Sequence, residues 1–264
     1  MSVVYILAHL DDEYCAAPLI WQARREGLDQ HLLYLADYRD RRMGRRRLAE
    51  TRAYVARQGL PPERAQAIGL DGGIFDGALH LRVPDLLALV LEAVSGVGQI
   101  SRIVTPAWEG GHMDHDVCAW LGVRLGERLG APVRQFSLYH GEGLPGPLLR
   151  GASPLAENGP VRRIELSPGE WLRWAAGVRA FPSQAYAWSG IWPAMMLGLA
   201  RHGFGWQGLS SQRVEQRPHA GRLFYERMFK VPYEEVRAAL DAAHPAGARP
   251  NTKRPARIRP TPAQ

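Results

Sequence analysis

The chain has little cysteine, no long apolar run and no internal repeat. Its two cysteines in 264 residues, Cys15 and Cys118, cannot build a disulfide framework. Each lies about one helical turn past a histidine-containing segment, where a small buried hydrophobe is the expected role. The longest apolar candidate, Ile191 to Ala200, falls short of the roughly eighteen residues a membrane span needs. No transmembrane segment is therefore expected. The first strand holds only six apolar residues before His9 and no basic leader stands before them, so no secretory signal is read and a cytoplasmic protein is expected. A zinc ribbon and the aromatic signature of RNA-binding modules are also missing, and no nucleic-acid partner is expected.

Charge is plentiful but uneven. The formal net charge is +7, and the segment from Pro245 to Gln264 supplies five basic residues and no acid. That segment is rich in Pro, Ala and Arg without hydrophobic period, which predicts a disordered basic tail over 244–264. A second basic cluster holds six arginines between Arg39 and Arg47 against the single acid Asp40. A solvated helix face is its simpler reading; attraction to an anionic substrate, lipid headgroup or nucleic acid is the functional one. With 46% apolar residues, 1–243 suffices for one sizeable α/β domain. Whether it self-associates into a homo-oligomer is left open.

Periodicity alternates between strand and helix through the first half. Strands are predicted at Val3–Leu7, His31–Ala36, Ala65–Ile68, Arg102–Thr105 and Val133–Leu138. Helices are predicted at Glu13–Arg25, Arg45–Gln58, Pro84–Val94 and Asp114–Leu129. This alternation predicts a Rossmann-like, mostly parallel α/β sheet flanked by helices, in the order 3-2-1-4-5. The remainder is less regular. Pro and Gly cluster from Gly141 to Pro160 as a loop, Val161–Leu166 is a strand candidate, and helices are predicted at Pro168–Arg179 and Pro232–Ala243. Five of the eight tryptophans fall between Trp171 and Trp206. They predict an aromatic C-terminal core, or a cleft where one or two rings stack on a sugar.

Chemistry concentrates in two clusters about a hundred residues apart. The first is Ala8-His9-Leu10-Asp11-Asp12-Glu13, the second Gly110-Gly111-His112-Met113-Asp114-His115-Asp116. Each follows an apolar strand and so lies at a strand's carboxyl end, where open α/β sheets build their sites. With strands one and four adjacent, the two loops flank one crevice. Asp11 and Asp12 cannot both be buried and ionised without a cation nearby. Three histidines and several carboxylates suit a divalent metal. The alternative for the first cluster is that Asp11 or Asp12 caps the following helix.

These two clusters resemble the metal motifs of the zinc-dependent de-N-acetylases of the LmbE-like, or PIG-L-type, family. Arg47-Leu48-Ala49-Glu50, Phe75-Asp76-Gly77-Ala78-Leu79, Pro182-Ser183-Gln184 and Tyr225-Glu226 resemble further elements of that family. The resemblance thus spans about residues 3 to 230. Leu10 and Met113 stand where the family usually has Pro, and Phe181 where a Tyr commonly precedes Pro-Ser-Gln. The resemblance implies Zn2+ held by His9, Asp12 and His115, with Asp11 as general base. It implies that His112, as a protonated imidazole, stabilises the oxyanion, with Asp114 orienting or charging it. Asp76 and Arg47 would touch substrate. His140, at the end of strand five, is added as a substrate-binding candidate from its place on the same sheet edge. The implied substrate is an N-acetylglucosamine-type sugar or glycoconjugate. Hydration of an unsaturated carboxylic acid, known for a few members with the same metal cradle, is the alternative activity. A non-catalytic basic binding module is the alternative class.

Overall fold

The computed structural model describes residues 1–243, and the basic tail read at 244–264 lies outside the described residues. In chain order the elements are β1 (Ser2–Leu7), α1 (Glu13–Arg25), β2 (Asp29–Tyr34), α2 (Arg41–Arg57), β3 (Ala65–Gln66), α3 (Val83–Val94), β4 (Ile100–Pro106), α4 (Met113–Leu129) and β5 (Val133–Phe136). They continue with the short pair β6 (Tyr139–His140) and β7 (Arg150–Gly151), then β8 (Arg162–Ile164), α5 (Pro168–Gly177), α6 (Ala185–His202), β9 (Phe204–Leu209), α7 (Ser211–Val214), α8 (Phe224–Met228) and α9 (Tyr233–Ala243).

The main sheet runs β3-β2-β1-β4-β5-β9-β8. Its first five strands are parallel; β9 pairs antiparallel with β5, and β8 antiparallel with β9. The 3-2-1-4-5 order expected from the alternation is present, extended by two strands. β8 is shorter than the predicted 161–166. β9 carries Gly205 and Gly208 within six residues, which weakens any strand signal in the sequence.

β1 is buried along its whole length, as a central strand covered on both faces must be. Successive side chains alternate between the faces. Val4 and Ile6 join the layer formed with α3, α4 and α9. Val3, Tyr5 and Leu7 join the layer formed with α1, α2, α5 and α6. Strand order reverses between β1 and β4, so the loops leaving their carboxyl ends diverge and open a crevice. Among the described residues no helix is long and apolar enough to cross a membrane.

Candidate metal centre and its cavity

The β1–α1 loop turns sharply enough to aim two acids. Asp12 Oδ2 accepts from the backbone N–H groups of Ala8 and His9, each at 2.9 Å. It makes no side-chain cap to α1, so the helix-cap alternative does not apply to it. Its other oxygen, Oδ1, is left facing the crevice. Asp11 sits at φ +145°, a conformation that costs a non-glycine residue about 1–3 kcal/mol and recurs where a side chain must be held in one direction. Tyr38 Oη accepts from Leu10 N at 2.9 Å and steadies the strained turn.

The β4–α4 loop is built by close backbone approach. A Cβ on Gly111 would lie 1.9 Å from the Tyr139 carbonyl oxygen, so no side chain fits there. Gly110, at φ +68°, accepts at its carbonyl from Phe224 N at 2.9 Å, which ties α8 to the loop. His112 caps α4, its Nδ1 accepting from Asp114 N at 3.2 Å. Nε2 is then the imidazole's N–H donor.

The two loops converge. His9 Nδ1 lies 3.2 Å from His115 Nε2, and Asp12 Oδ1 lies 3.2 Å from His115 Nε2 and 3.8 Å from His9 Nδ1. Tetrahedral zinc with ligands at 2.0–2.1 Å sets ligand–ligand edges of about 3.3 Å. The triangle of His9, Asp12 and His115 has that size and fits one divalent ion. A second grouping of His9, Asp76, His112 and Asp114 also has its donor atoms close together. It suits an ion less well. Both oxygens of Asp114 are already occupied, Oδ2 by Gly77 N at 2.6 Å and Oδ1 by Leu79 N at 3.1 Å. Asp114 thereby fastens the loop that carries Asp76.

Asp114 differs in role from the sequence reading. Its Oδ2 is 3.2 Å from His9 Nε2 and 3.9 Å from His112 Nδ1, so its carboxylate orients His9; it reaches His112 by its backbone N–H. A carboxylate on the far nitrogen of a ligating imidazole sets tautomer and ring direction. Asp76 Oδ1 also lies 3.2 Å from His9 Nε2, and its Oδ2 lies 3.8 Å from Arg47 Nη1.

The acids and imidazoles of the site shift one another's protonation. Burial, followed by repulsion from Asp12, pushes the Asp11 carboxyl up to about 7. Burial also opposes ionisation of Asp12, Asp76 and Asp114. Contacts with His115 for Asp12, and with His9 for the other two, outweigh it and hold all three below the ordinary carboxylate range. Burial lowers His112 to about 4, so it is a neutral donor at neutral pH and not the protonated imidazole expected.

A cavity of about 610 Å³ opens over this group, with His9, Asp11, Asp12, Asp76, His112 and His115 on its polar side and Arg47 at the edge. Trp188, Leu149, Ile191, Phe224 and Phe229 form the apolar side. Eight of the nine site residues named from sequence therefore lie together, Asp114 just behind His9. His140 does not join them. It is buried away from the cavity, with Nε2 against the Ser153 carbonyl at 2.8 Å and Nδ1 accepting from Glu142 N at 3.2 Å. Its place at a strand end signalled the right edge of the sheet, but the side chain faces the other way and braces a loop.

Sequence reasoning missed Trp188. Its Nε1–H donates to Asp11 Oδ2 at 2.9 Å. The concentration of tryptophans was its only signal. Most of those rings are structural: Trp174 stacks on Tyr14 at 4.9 Å, and Trp192 donates to the Tyr14 hydroxyl at 3.1 Å. Phe181 is buried against Tyr54 at 5.0 Å, so a hydroxyl there would face the core and not the cavity. The Arg-x-x-Glu and Pro-Ser-Gln elements meet, the Ser183 hydroxyl donating to Glu50 Oε2 at 2.5 Å. Cys15 and Cys118 are free and buried, as expected.

No protein-family model matches the chain, and no curated protein matches it. Solved structures do. A triple mutant of a deacetylase of the teicoplanin biosynthetic pathway, Orf2*T, superimposes with a TM-score of 0.59 at 17% identity, covering 79% of this chain and 97% of that one. The chain shares the α/β fold of that deacetylase. The zinc-inhibited form of teicoplanin deacetylase Orf2 superimposes with a TM-score of 0.53 at 14% identity, covering 79% of this chain and 97% of that one. N,N'-diacetylchitobiose deacetylase from Pyrococcus horikoshii superimposes with a TM-score of 0.53 at 13% identity, covering 83% of this chain and 87% of that one.

Proposed function

We propose that this protein is a zinc-dependent amide hydrolase that removes the N-acetyl group from an N-acetylglucosamine-type sugar or glycoconjugate. The observation that carries the reading is the triangle of His9 Nδ1, Asp12 Oδ1 and His115 Nε2, with edges of 3.2, 3.2 and 3.8 Å, beside a buried acid, Asp11. The LmbE-like fold, shared with deacetylases that differ in substrate, supports it.

His9, Asp12 and His115 hold the ion. When bound, a divalent ion supplies Lewis acidity that lowers the pKa of water toward about 7 and polarises an amide carbonyl. Asp11 takes a proton from the attacking water as its oxygen bonds to the carbonyl carbon. His112, neutral and donating through Nε2, hydrogen-bonds the oxygen on which negative charge develops. The carbon–nitrogen bond then breaks, Asp11 returns its proton to the leaving nitrogen, and acetate and the free amine are the products. Asp114 keeps His9 aimed from behind. Asp76, at the edge of the same cavity, would contact sugar hydroxyls, with Arg47 beside it near the substrate.

The test is metal analysis of purified protein together with an acetate-release screen across N-acetylated amino-sugar conjugates and an absorbance assay on an unsaturated diacid. About one divalent ion per chain and acetate from an amino sugar are expected. Loss of diacid absorbance without acetate release would replace hydrolysis by hydration, and protein that neither retains nor responds to divalent metal would end the reading.

A further inference from the structure

The core uses only part of the longest apolar run in the sequence, Ile191 to Ala200. Met195, Gly198 and Leu199 are buried, but Ile191 and Ala194 are half-buried and Leu197 is 53% exposed. These last three stand at i, i+3 and i+6 and share one face of α6. Ile191 lines the metal cavity, whereas Ala194 and Leu197 line a second cavity of about 190 Å³. Leu149 lines both, so its half-buried side chain stands where the two meet. The hydrolase reading gives no role to this second cavity or to the exposed side of α6.

Close backbone approach makes the floor of the second cavity. A Cβ on Gly198 would lie 1.8 Å from the Gly151 carbonyl oxygen, and one on Gly151 would lie 2.5 Å from Met195 N, so β7 rests directly on α6. The outer wall is the loop between β6 and β7, which contributes Leu144 and Leu149. His140 holds both ends of that loop, through Glu142 N and the Ser153 carbonyl, and Arg227 Nη2 donates to the Gly141 carbonyl at 3.1 Å. The wall is therefore fixed from outside the metal site. Of the polar groups that border the cavity, Arg150 Nε donates to the Glu142 carbonyl at 3.2 Å and His202 Nε2 lies 3.4 Å from the Ser153 hydroxyl. Arg201 stands one turn beyond Leu197, at the exposed C-terminal end of α6.

The two sides of the metal cavity set a direction. Asp76 and Arg47 border the polar side, where the sugar is placed, and Trp188 and Ile191 lie on the apolar side. An amide with its carbonyl at the metal and its nitrogen toward the sugar directs its acyl group to Ile191, Leu149 and the second cavity. From Trp188, whose indole reaches Asp11, to Leu197 the helix rises about 14 Å. An extended chain advances about 1.2 Å per bond, so this path takes about ten carbons, far more than acetyl. We propose that the same centre also hydrolyses amides whose acyl group is an alkyl chain of about eight to ten carbons, laid along α6 past Leu149. The carbon–nitrogen bond breaks as it does for acetyl, with water as the second reactant, and the products are a medium-chain carboxylic acid and the same free amine. The choice of amide chemistry rests on the hydrolase reading; the alkyl groove itself does not.

The test compares hydrolysis by the zinc-loaded protein of N-acetylglucosamine, N-octanoylglucosamine and the octyl glycoside of N-acetylglucosamine, read as release of the free amine. Each methylene that leaves water is worth about fourfold in binding, and a groove open on one side covers only part of each. N-octanoylglucosamine is therefore expected to exceed N-acetylglucosamine about 10- to 100-fold in kcat/KM, through KM. Ala194→Trp, which fills the groove, and Leu197→Asp, which places a charge in it, should abolish that gain and leave acetyl turnover unchanged. Leu197 is exposed, so its variant should keep the wild-type circular dichroism and melting temperature. An equal or lower kcat/KM for the octanoyl amide, a gain that survives Leu197→Asp, or a gain confined to the octyl glycoside overturns the proposal; the last would put the chain on the amine side. Calorimetry with octanoate and acetate separates this proposal from the hydrolase reading. If no amide of the acetate-release screen is hydrolysed while octanoate binds more tightly than acetate, and Leu197→Asp removes the difference, the groove stands and the hydrolase reading falls. If octanoate gains nothing over acetate, the groove falls.

Discussion

Replacing Trp188 by Phe isolates one hydrogen bond at the proposed general base. The indole N–H reaches Asp11 Oδ2 at 2.9 Å and so fixes which carboxylate oxygen points elsewhere into the cavity. The ring itself also packs, edge-on to Tyr14 at 5.0 Å, and Phe keeps that contact. A hydrogen bond to a charged group contributes about 1.5–3 kcal/mol. Asp11 borders an open cavity where water can replace the lost donor, so the lower end applies. About 1.5 kcal/mol corresponds to roughly a tenfold fall in kcat. KM should change little, because the indole orients the base and is not assigned a substrate group to bind. The assay is acetate release under saturating substrate, in wild type, Trp188→Phe, Asp11→Ala and the double variant. If Trp188 acts through Asp11, it has nothing to orient once Asp11 is gone, and the second substitution adds no loss. Equal losses in both backgrounds, or an unchanged kcat in Trp188→Phe alone, would show that the hydrogen bond has no part in turnover.

Three further outcomes are expected. Asp11→Ala should retain metal while losing most turnover, whereas His9→Ala and His115→Ala should lose metal on dialysis; elemental analysis of the three variants separates a base from ligands. Gly111→Ala drives a Cβ to within 1.9 Å of the Tyr139 carbonyl and should cost about 3 kcal/mol, lowering the melting temperature by roughly 6–12 °C, and a shift below about 2 °C would contradict the backbone approach. Burial pushes the Glu109 carboxyl up to about 7 despite hydrogen bonds from Ser137, Leu138 N and Tyr139 N. The folded protein then holds a proton that the unfolded chain has released, so this group lowers stability as pH rises from about 4.5 to 7. Glu109→Gln removes the effect: denaturant titrations should show the variant gaining about 1–3 kcal/mol on wild type across that window, and a pH-independent difference would count against it.

The site was legible because its signals are local. Two strands, each followed within a few residues by histidine and aspartate, put the clusters on one sheet edge through the 3-2-1-4-5 order alone. Short-range spacing also made Asp11 and Asp12 anomalous unless a cation was near. What escaped lies where side-chain direction, not position along the chain, decides. His140 has the right address at the end of the sheet yet turns to Ser153. Trp188 is 177 residues from Asp11, and no spacing rule links an indole on α6 to an acid after β1. β9 was hidden by its two glycines, and its antiparallel place beside β5 follows only from the long return of the chain through α6.

Residue order alone determined the alternation of strand and helix, the sheet edge that carries chemistry, and the two loops that share it. These follow from local periodicity and from the chirality of crossovers, which act over tens of residues. Tertiary packing alone decided which atoms meet: that Asp12 turns one oxygen to its own backbone and the other to His115, that Asp114 serves His9, and that Arg39 stacks on the Phe75 ring. The reason is that a side chain's direction is chosen by competition among all neighbours it can reach, and most of those neighbours are remote in the chain.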